Sequence, residues 1–206
     1  MSKIEEAQAI LKSLGLPRAQ QNEMSALTLL ALCGLRPNDQ WRKARRHSVT
    51  VTNGTTLKLS PGKHNQLQAA VLAEFAPRFA PGALLVYFGD TAQKNLYVNA
   101  ERLKTLHVSI TEHDKLPDIV LHDENRQWLF LIEAVTSHGP MTPKRVVELQ
   151  KMFTRSDVGC VYVSAFPDLA EFRRHLKQIA WETEVWIAEM PEHLIHFNGD
   201  RFLGPR

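Results

Sequence analysis

The stretch Lys115 to Val135 constrains this chain more than any other. Two short apolar runs, 118–122 and 127–135, flank the turn-forming residues Asp123 to Arg126. Runs of that length, rich in Val, Ile, Leu, Trp and Phe, are strand signals, so the spacing predicts a β-hairpin. Two carboxylates interrupt it, Asp118 and Glu133. With a four-residue loop, His122 faces Gln127 and Asp118 faces Leu131, and Glu133 lies two residues further along. Both acids then leave the pleat on one side, as diagonal neighbours about 7–8 Å apart at the backbone. A one-residue slip would put them on opposite faces. Asp118 alone also suits a turn at a strand end. Glu133 does not: it sits inside Leu-Phe-Leu-Ile-Glu-Ala-Val, and an ionised carboxylate is seldom buried without a partner or a metal. Two such acids on one hairpin fit a hard divalent cation held through oxygen, and Mg²⁺ takes only one or two protein carboxylates.

Pro117-Asp118, a hairpin and then Glu133 are similar to the core of the PD-(D/E)XK nucleases. The wider text, Ile110 to Asp118 and Glu133-Ala-Val-Thr-Ser-His-Gly-Pro140, resembles the BsuBI/PstI family of type II restriction endonucleases. The likeness runs from about Ser60 to the C-terminus and includes Phe88-Gly-Asp-Thr91, Ala165-Phe-Pro-Asp168, Ala180 to Met190 and His196 to Phe202. The resemblance implies a restriction-endonuclease-like α/β sandwich about a mixed central sheet, preceded by a small N-terminal helical region. It implies double-stranded DNA as substrate, the palindrome CTGCAG of the founding relatives as a site, Mg²⁺ as cofactor, and a homodimer matched to duplex symmetry. It makes Asp118 and Glu133 the catalytic, metal-binding pair, with the Ala134 carbonyl as a third oxygen.

Most PD-(D/E)XK enzymes carry a lysine two residues after the glutamate, and here that position is Val135. Lys144, in the first turn of the helix that Thr142-Pro143 opens, is the expected substitute, with Lys115 as second choice. Ser137 and His138 follow the catalytic strand, where they can meet phosphate near a helix N-terminus. By the same resemblance Glu74 can add an acid from the first helix, against a solvated helix glutamate. Asp90 can reach the metal, against a turn or capping role.

The composition sets bounds on these readings. A chain of 206 residues with 44% hydrophobic content can bury a core. Cys33 and Cys160 form no CxxC pair, so neither a disulfide framework nor a zinc site is indicated. With no 18-residue apolar run and no secretory start, no membrane association is expected, and the cytoplasm is the expected location. His107, His113, His122 and His138 lack metal-ligand spacing, no Cys or Ser has nucleophile context, and no Gly-rich phosphate loop follows a strand.

The net charge of +3 is unevenly spread: residues 1–64 hold ten Lys/Arg against four Asp/Glu, and the remainder is net negative. The excess gathers at Arg42, Lys43, Arg45 and Arg46, the electrostatic footprint of a nucleic-acid binder, or else a solvated helix face.

The chain divides at Ser60. Residues 1–59 read as a helical region: helices at 3–14 and 23–33, a third carrying the basic residues, and a hairpin around Asn53-Gly54. They fit a winged-helix DNA reader or, preferably, a helical cap whose hairpin belongs to the main domain. This region is shorter than in the family, which puts base reading in question more than chemistry.

Residues 60–206 read as the nuclease domain. Ser60-Pro61 opens a helix with Leu67, Ala70/Val71 and Phe75 inward and Pro77 at its end. A strand follows at 83–88, then a strand piece and short helix within 97–108. After the central hairpin come a helix with Val146, Leu149/Gln150 and Phe153 inward, a strand at 159–165, a helix at 169–180 capped by Asp168, and strands at 184–190 and 194–197. Two rivals to a restriction enzyme stand beside it: a DNA-binding protein on this fold that no longer cuts, and a repair or recombination nuclease that reads DNA shape.

Overall fold

The structure, a computed structural model, describes residues 48–50, 56–91, 95–108, 115–136 and 139–197, all within the compact unit Ala44–Arg206. The expected helices of residues 1–46, the basic residues Arg42, Lys43, Arg45 and Arg46, and Ser137 and His138 lie outside the described residues.

The first hairpin forms as its alternation predicts: β1 (Ser48–Thr50) pairs antiparallel with β2 (Thr56–Lys58), Ser48 opposite Lys58. Helix α1 (Lys63–Ala70) passes through a π-helical turn, Val71–Phe75, into α2 (Ala76–Phe79). Then come β3 (Leu84–Phe88), β4 (Tyr97–Val98), α3 (Ala100–Thr105), β5 (Ile119–Asp123), β6 (Trp128–Ala134), α4 (Pro143–Met152), β7 (Gly159–Phe166), α5 (Leu169–His175), β8 (Thr183–Ile187) and β9 (Leu194–Phe197). The main sheet runs β4-β3-β5-β6-β7-β8-β9. Pairs β6–β7 and β7–β8 are parallel and the others antiparallel, which is the mixed sheet expected.

Alternation along the strands divides the core between the two faces. Ile119, Leu121, Phe130 and Ile132 meet Leu67, Val71 and Phe75 of the α1 segment on one side. Val120, Leu129 and Leu131 meet Leu149 and Phe153 of the α4 segment and Leu103 and Leu106 of the α3 segment on the other. Each fully buried Leu, Ile or Phe contributes about 1.5–3 kcal/mol, so the sandwich rests chiefly on these two layers.

The α1 segment departs from its expected ends. It starts at Lys63 after Gly62, whose φ of 149° suits a residue without Cβ, because the Ser60 hydroxyl is bound to Asp90 instead of capping the helix. It also runs past Pro77. The Ala76 N–H bonds to the Val71 carbonyl five residues back, and this wider turn brings Pro77 to the opening turn of α2, where a missing N–H costs nothing. The helix at 169–180 is shorter than expected, with α5 ending at His175 and a 3₁₀ turn at Leu176–Gln178; Phe172 and Ile179 are buried while Leu169 and Leu176 are exposed.

The central hairpin has a register two residues away from the expected one. Asp123 pairs with Trp128, Val120 with Leu131 and Ile119 with Ile132. Continued by one rung, this pairing puts Asp118 directly opposite Glu133, where a diagonal relation was expected. Parity survives the shift, so both acids still share a face. Asp123 is drawn from the loop into the strand because its carboxylate accepts the Arg126 N–H and pairs with the Arg126 guanidinium, which also donates to the Phe79 carbonyl. Gln127 closes the loop in the left-handed region at φ 55°. Asp123→Ala should therefore lower the unfolding free energy by about 2 kcal/mol, since a buried acceptor of charge-assisted bonds is lost. Urea denaturation of the two proteins checks this.

Candidate active site

The site lies where β5 begins and β6 ends, at the middle of the sheet. Asp118 is fastened at both carboxylate oxygens: Oδ2 accepts the Ala134 N–H at 2.8 Å, and Oδ1 is 3.3 Å from Nε2 of His64. Its own carbonyl accepts the Gly89 N–H, and the Gly89 carbonyl accepts the Nε2 of fully buried Gln68. His64 stands in the first turn of α1, on the face of Leu67 and Val71, and its Nδ1 is 3.4 Å from the Thr136 hydroxyl.

Glu133 accepts a hydrogen bond from Nε of Arg145 at 2.7 Å. Arg145 belongs to the first turn of α4, where the Thr142 side chain caps the helix by accepting the Arg145 N–H, and its Nη1 lies 3.5 Å from Glu148. The side chains of Glu133 and Arg145 are 15% and 16% exposed, and Asp118 is 26% exposed, so the pair is sheltered but open to a ligand.

Electrostatics make the two acids one unit. Burial first, then the charge of Asp118, push the Glu133 carboxyl up to about 7, against the opposing pull of Arg145. At His64 burial favours the neutral ring, but the hydrogen bond and charge of Asp118, the charge of Glu133 and the Ala134 carbonyl outweigh it, and the imidazole is raised above its ordinary value. Burial and the same two carboxylates raise the Tyr87 phenol. Two acids in mutual repulsion, with a main-chain carbonyl close to the imidazole of one of their partners, form an all-oxygen donor set that fits a hard divalent cation. Among the described residues no cluster of three or more His, Cys, Asp or Glu side chains that could enclose a metal is present.

The structure brings together Asp118, Glu133 and Ala134 and leaves other candidates apart. Lys144 is 88% exposed, with its ammonium 3.9 Å from Glu148, because it lies off the α4 face that carries Arg145 and Leu149. Lys115 is exposed. Glu74 is spent on Arg78 at 2.7 Å. Asp90 is buried but taken by the Ser60 N–H, the Ser60 hydroxyl and the Asn65 amide, which makes it a bracket between β3 and the start of α1. The sequence reading missed His64 and Arg145. Both were within reach of helical spacing: His64 precedes Leu67 by three and Val71 by seven, and Arg145 precedes Leu149 by four.

If a divalent cation is held by this pair, its binding should drive the proton off Glu133, so adding Mg²⁺ near pH 7 should release protons, more at lower pH and progressively less as the pH rises past the raised value. Calorimetric titration in buffers of different ionisation enthalpy measures it. No release at pH 6.5 from the wild-type chain would contradict this pairing of acids.

Comparison with known proteins identifies the family. Residues 47–200 match the model of the BsuBI/PstI restriction endonuclease domain, and residues 1–60 that of the BsuBI/PstI restriction endonuclease HTH domain. The chain is 49% identical over 164 residues to the type II restriction enzyme BsuBI of Bacillus subtilis, covering 80% of this chain and 52% of that protein. It is 32% identical over 169 residues to the type II restriction enzyme AplI of Arthrospira platensis, covering 79% and 52%. Among solved structures, the SdaI restriction endonuclease superposes with a TM-score of 0.73 at 41% identity, covering 89% of this chain and 56% of that one. The chain thus spans about half the length of the curated relatives it matches. None of the helices among the described residues is long and apolar enough to cross a membrane.

Proposed function

Since the chain belongs to the BsuBI/PstI restriction endonuclease family, we propose that it is a Mg²⁺-dependent type II endonuclease that hydrolyses phosphodiester bonds of double-stranded DNA. The observation that carries this is the β5–β6 ladder, whose pairing, extended one rung beyond Ile119 and Ile132, brings Asp118 and Glu133 together on one side of the sheet, with Asp118 accepting the Ala134 N–H. Asp118, Glu133 and the Ala134 carbonyl would hold the cation. Bound there, Mg²⁺ supplies a more acidic water and a Lewis acid for the phosphoryl oxygen. The Ala134 N–H holds Asp118 in place through a 2.8 Å hydrogen bond, so the donor set is built before the ion arrives.

The basic residues Arg42, Lys43, Arg45 and Arg46 would add affinity for the DNA backbone that falls with salt. A palindromic site is best cut by a homodimer, one active site per strand, and CTGCAG is the first sequence to try. Of the two rivals, the non-cutting DNA binder rested on the missing lysine at Val135. A guanidinium 2.7 Å from Glu133 weakens that support, because the site does not lack a cation.

Incubating the purified chain with plasmid carrying CTGCAG should give cutting with Mg²⁺ and none with EDTA. Glu133→Gln and Asp118→Asn should each lower the cutting rate by about 1000-fold or more while duplex binding persists. Cutting by both variants at the wild-type rate would remove this site from the reaction, and cutting of branched DNA without any preferred sequence would favour the repair reading.

A further inference from the structure

We propose that Arg145 is the cationic catalytic residue of this centre, bound to Glu133 at rest and directed to the scissile phosphate when cation and DNA arrive. This rests on the nuclease reading above and assigns the charge that the reading leaves open. The place where a lysine would stand is closed to one: Val135 is fully buried in the apolar cluster of Phe166, Phe172 and Val185, where an ammonium would lose its water without gaining a partner. Lys144 points to solvent. Among the described residues, the basic groups in contact with the two carboxylates are His64, on Asp118, and Arg145, on Glu133.

Of these two, Arg145 has the chemistry for phosphate. Its guanidinium stays charged when sheltered, and its flat array of five donors matches two phosphate oxygens at once. Among the described residues, only Nε and Nη1 meet carboxylates, Glu133 at 2.7 Å and Glu148 at 3.5 Å. In the reaction the oxygen of a water bonds to phosphorus and gives up a proton to solvent. The ester P–O bond breaks, and its oxygen takes up a proton. Negative charge builds on the non-bridging oxygens between these events, and donors already aimed at that charge lower the barrier most.

The resting contact has a consequence that separates this role from a structural one. While Arg145 pairs with Glu133 it competes with the divalent ion for the same carboxylate. Its removal should therefore spare or tighten ion binding and still abolish turnover.

The test compares wild type, Arg145→Ala, Arg145→Lys, Lys144→Ala and Glu133→Gln. Cutting of CTGCAG duplex with Mg²⁺ is measured at saturating DNA, and Mn²⁺ binding to the DNA-free protein is followed by the paramagnetic resonance of the free ion. Arg145→Ala should cut about 100- to 1000-fold slower in kcat with KM little changed. It should bind Mn²⁺ as tightly as wild type or more so, and Arg145→Lys should recover part of the rate. Glu133→Gln should lose Mn²⁺. The proposal is overturned if Arg145→Ala cuts within about threefold of wild type, a difference under 1 kcal/mol. It is equally overturned if Arg145→Ala loses Mn²⁺ as Glu133→Gln does, if Arg145→Lys is no better than Arg145→Ala, or if Lys144→Ala is the slower variant. Failure of wild type to cut, or of Glu133→Gln to matter, would instead overturn the nuclease reading.

Discussion

Two carboxylates that face each other across one rung of a β-hairpin repel, and most of what surrounds them here answers that repulsion. Strands β5 and β6 must run side by side at the sheet centre for their apolar residues to fill both layers, so the acids cannot move apart without breaking the ladder. Basic groups come to them from both faces. His64 belongs to α1, which packs with Leu67 and Val71 on one layer, and Arg145 to α4, which packs with Leu149 on the other. The helices therefore have two tasks, covering the sheet and bringing basic side chains to its end. Even so, the Glu133 carboxyl stays up near 7, driven by burial and by Asp118, so the balance remains incomplete.

What the sequence made legible follows from period and polarity. The apolar runs marked the strands, and a carboxylate inside Leu-Phe-Leu-Ile-Glu-Ala-Val marked the site, because an acid there needs a reason. That both acids share a face was also legible, since parity is insensitive to a register shift of two. The register itself was not. It depends on whether Asp123 belongs to loop or strand, and that is settled by its bonds to Arg126, which no alternation pattern encodes. The Lys144 expectation failed for a different reason. The helix is the one expected, but helical spacing with Leu149 marks Arg145, the neighbour of Lys144, as the inward residue. The wider turn at Val71–Phe75, which carries the helix past Pro77, had no sequence signal at all.

Burial of an acid singles out a candidate site only when its surroundings are added. Asp90 is buried, yet the Ser60 and Asn65 donors occupy both of its oxygens, and its task is to hold two segments together. Asp123 is likewise answered by Arg126. Glu133 differs because a second acid confronts it and its own partner, Arg145, offsets burial and that acid only in part. The distinction is one of charge left over, and it can be read only when partners across the fold are known.

Moving a cation from a strand to a helix makes its position depend on how that helix is anchored, and the anchoring here returns to the same rung. Glu133 is in register with Ser164 of β7, and the Ser164 hydroxyl accepts the Met141 N–H at 2.9 Å. Met141 is fully buried, and its carbonyl accepts the Ala180 N–H at 2.8 Å, so the segment entering α4 is held from two sides. One residue later Thr142 caps the helix on the Arg145 N–H, and Pro143 sets its first turn. The chain from Glu133 through Ser164, Met141 and Thr142 to Arg145 thus closes on itself through the 2.7 Å contact between Arg145 and Glu133. A loop so closed gives a helix-borne arginine much of the positional certainty that a strand-borne lysine would have had, while leaving its long side chain free to change partners.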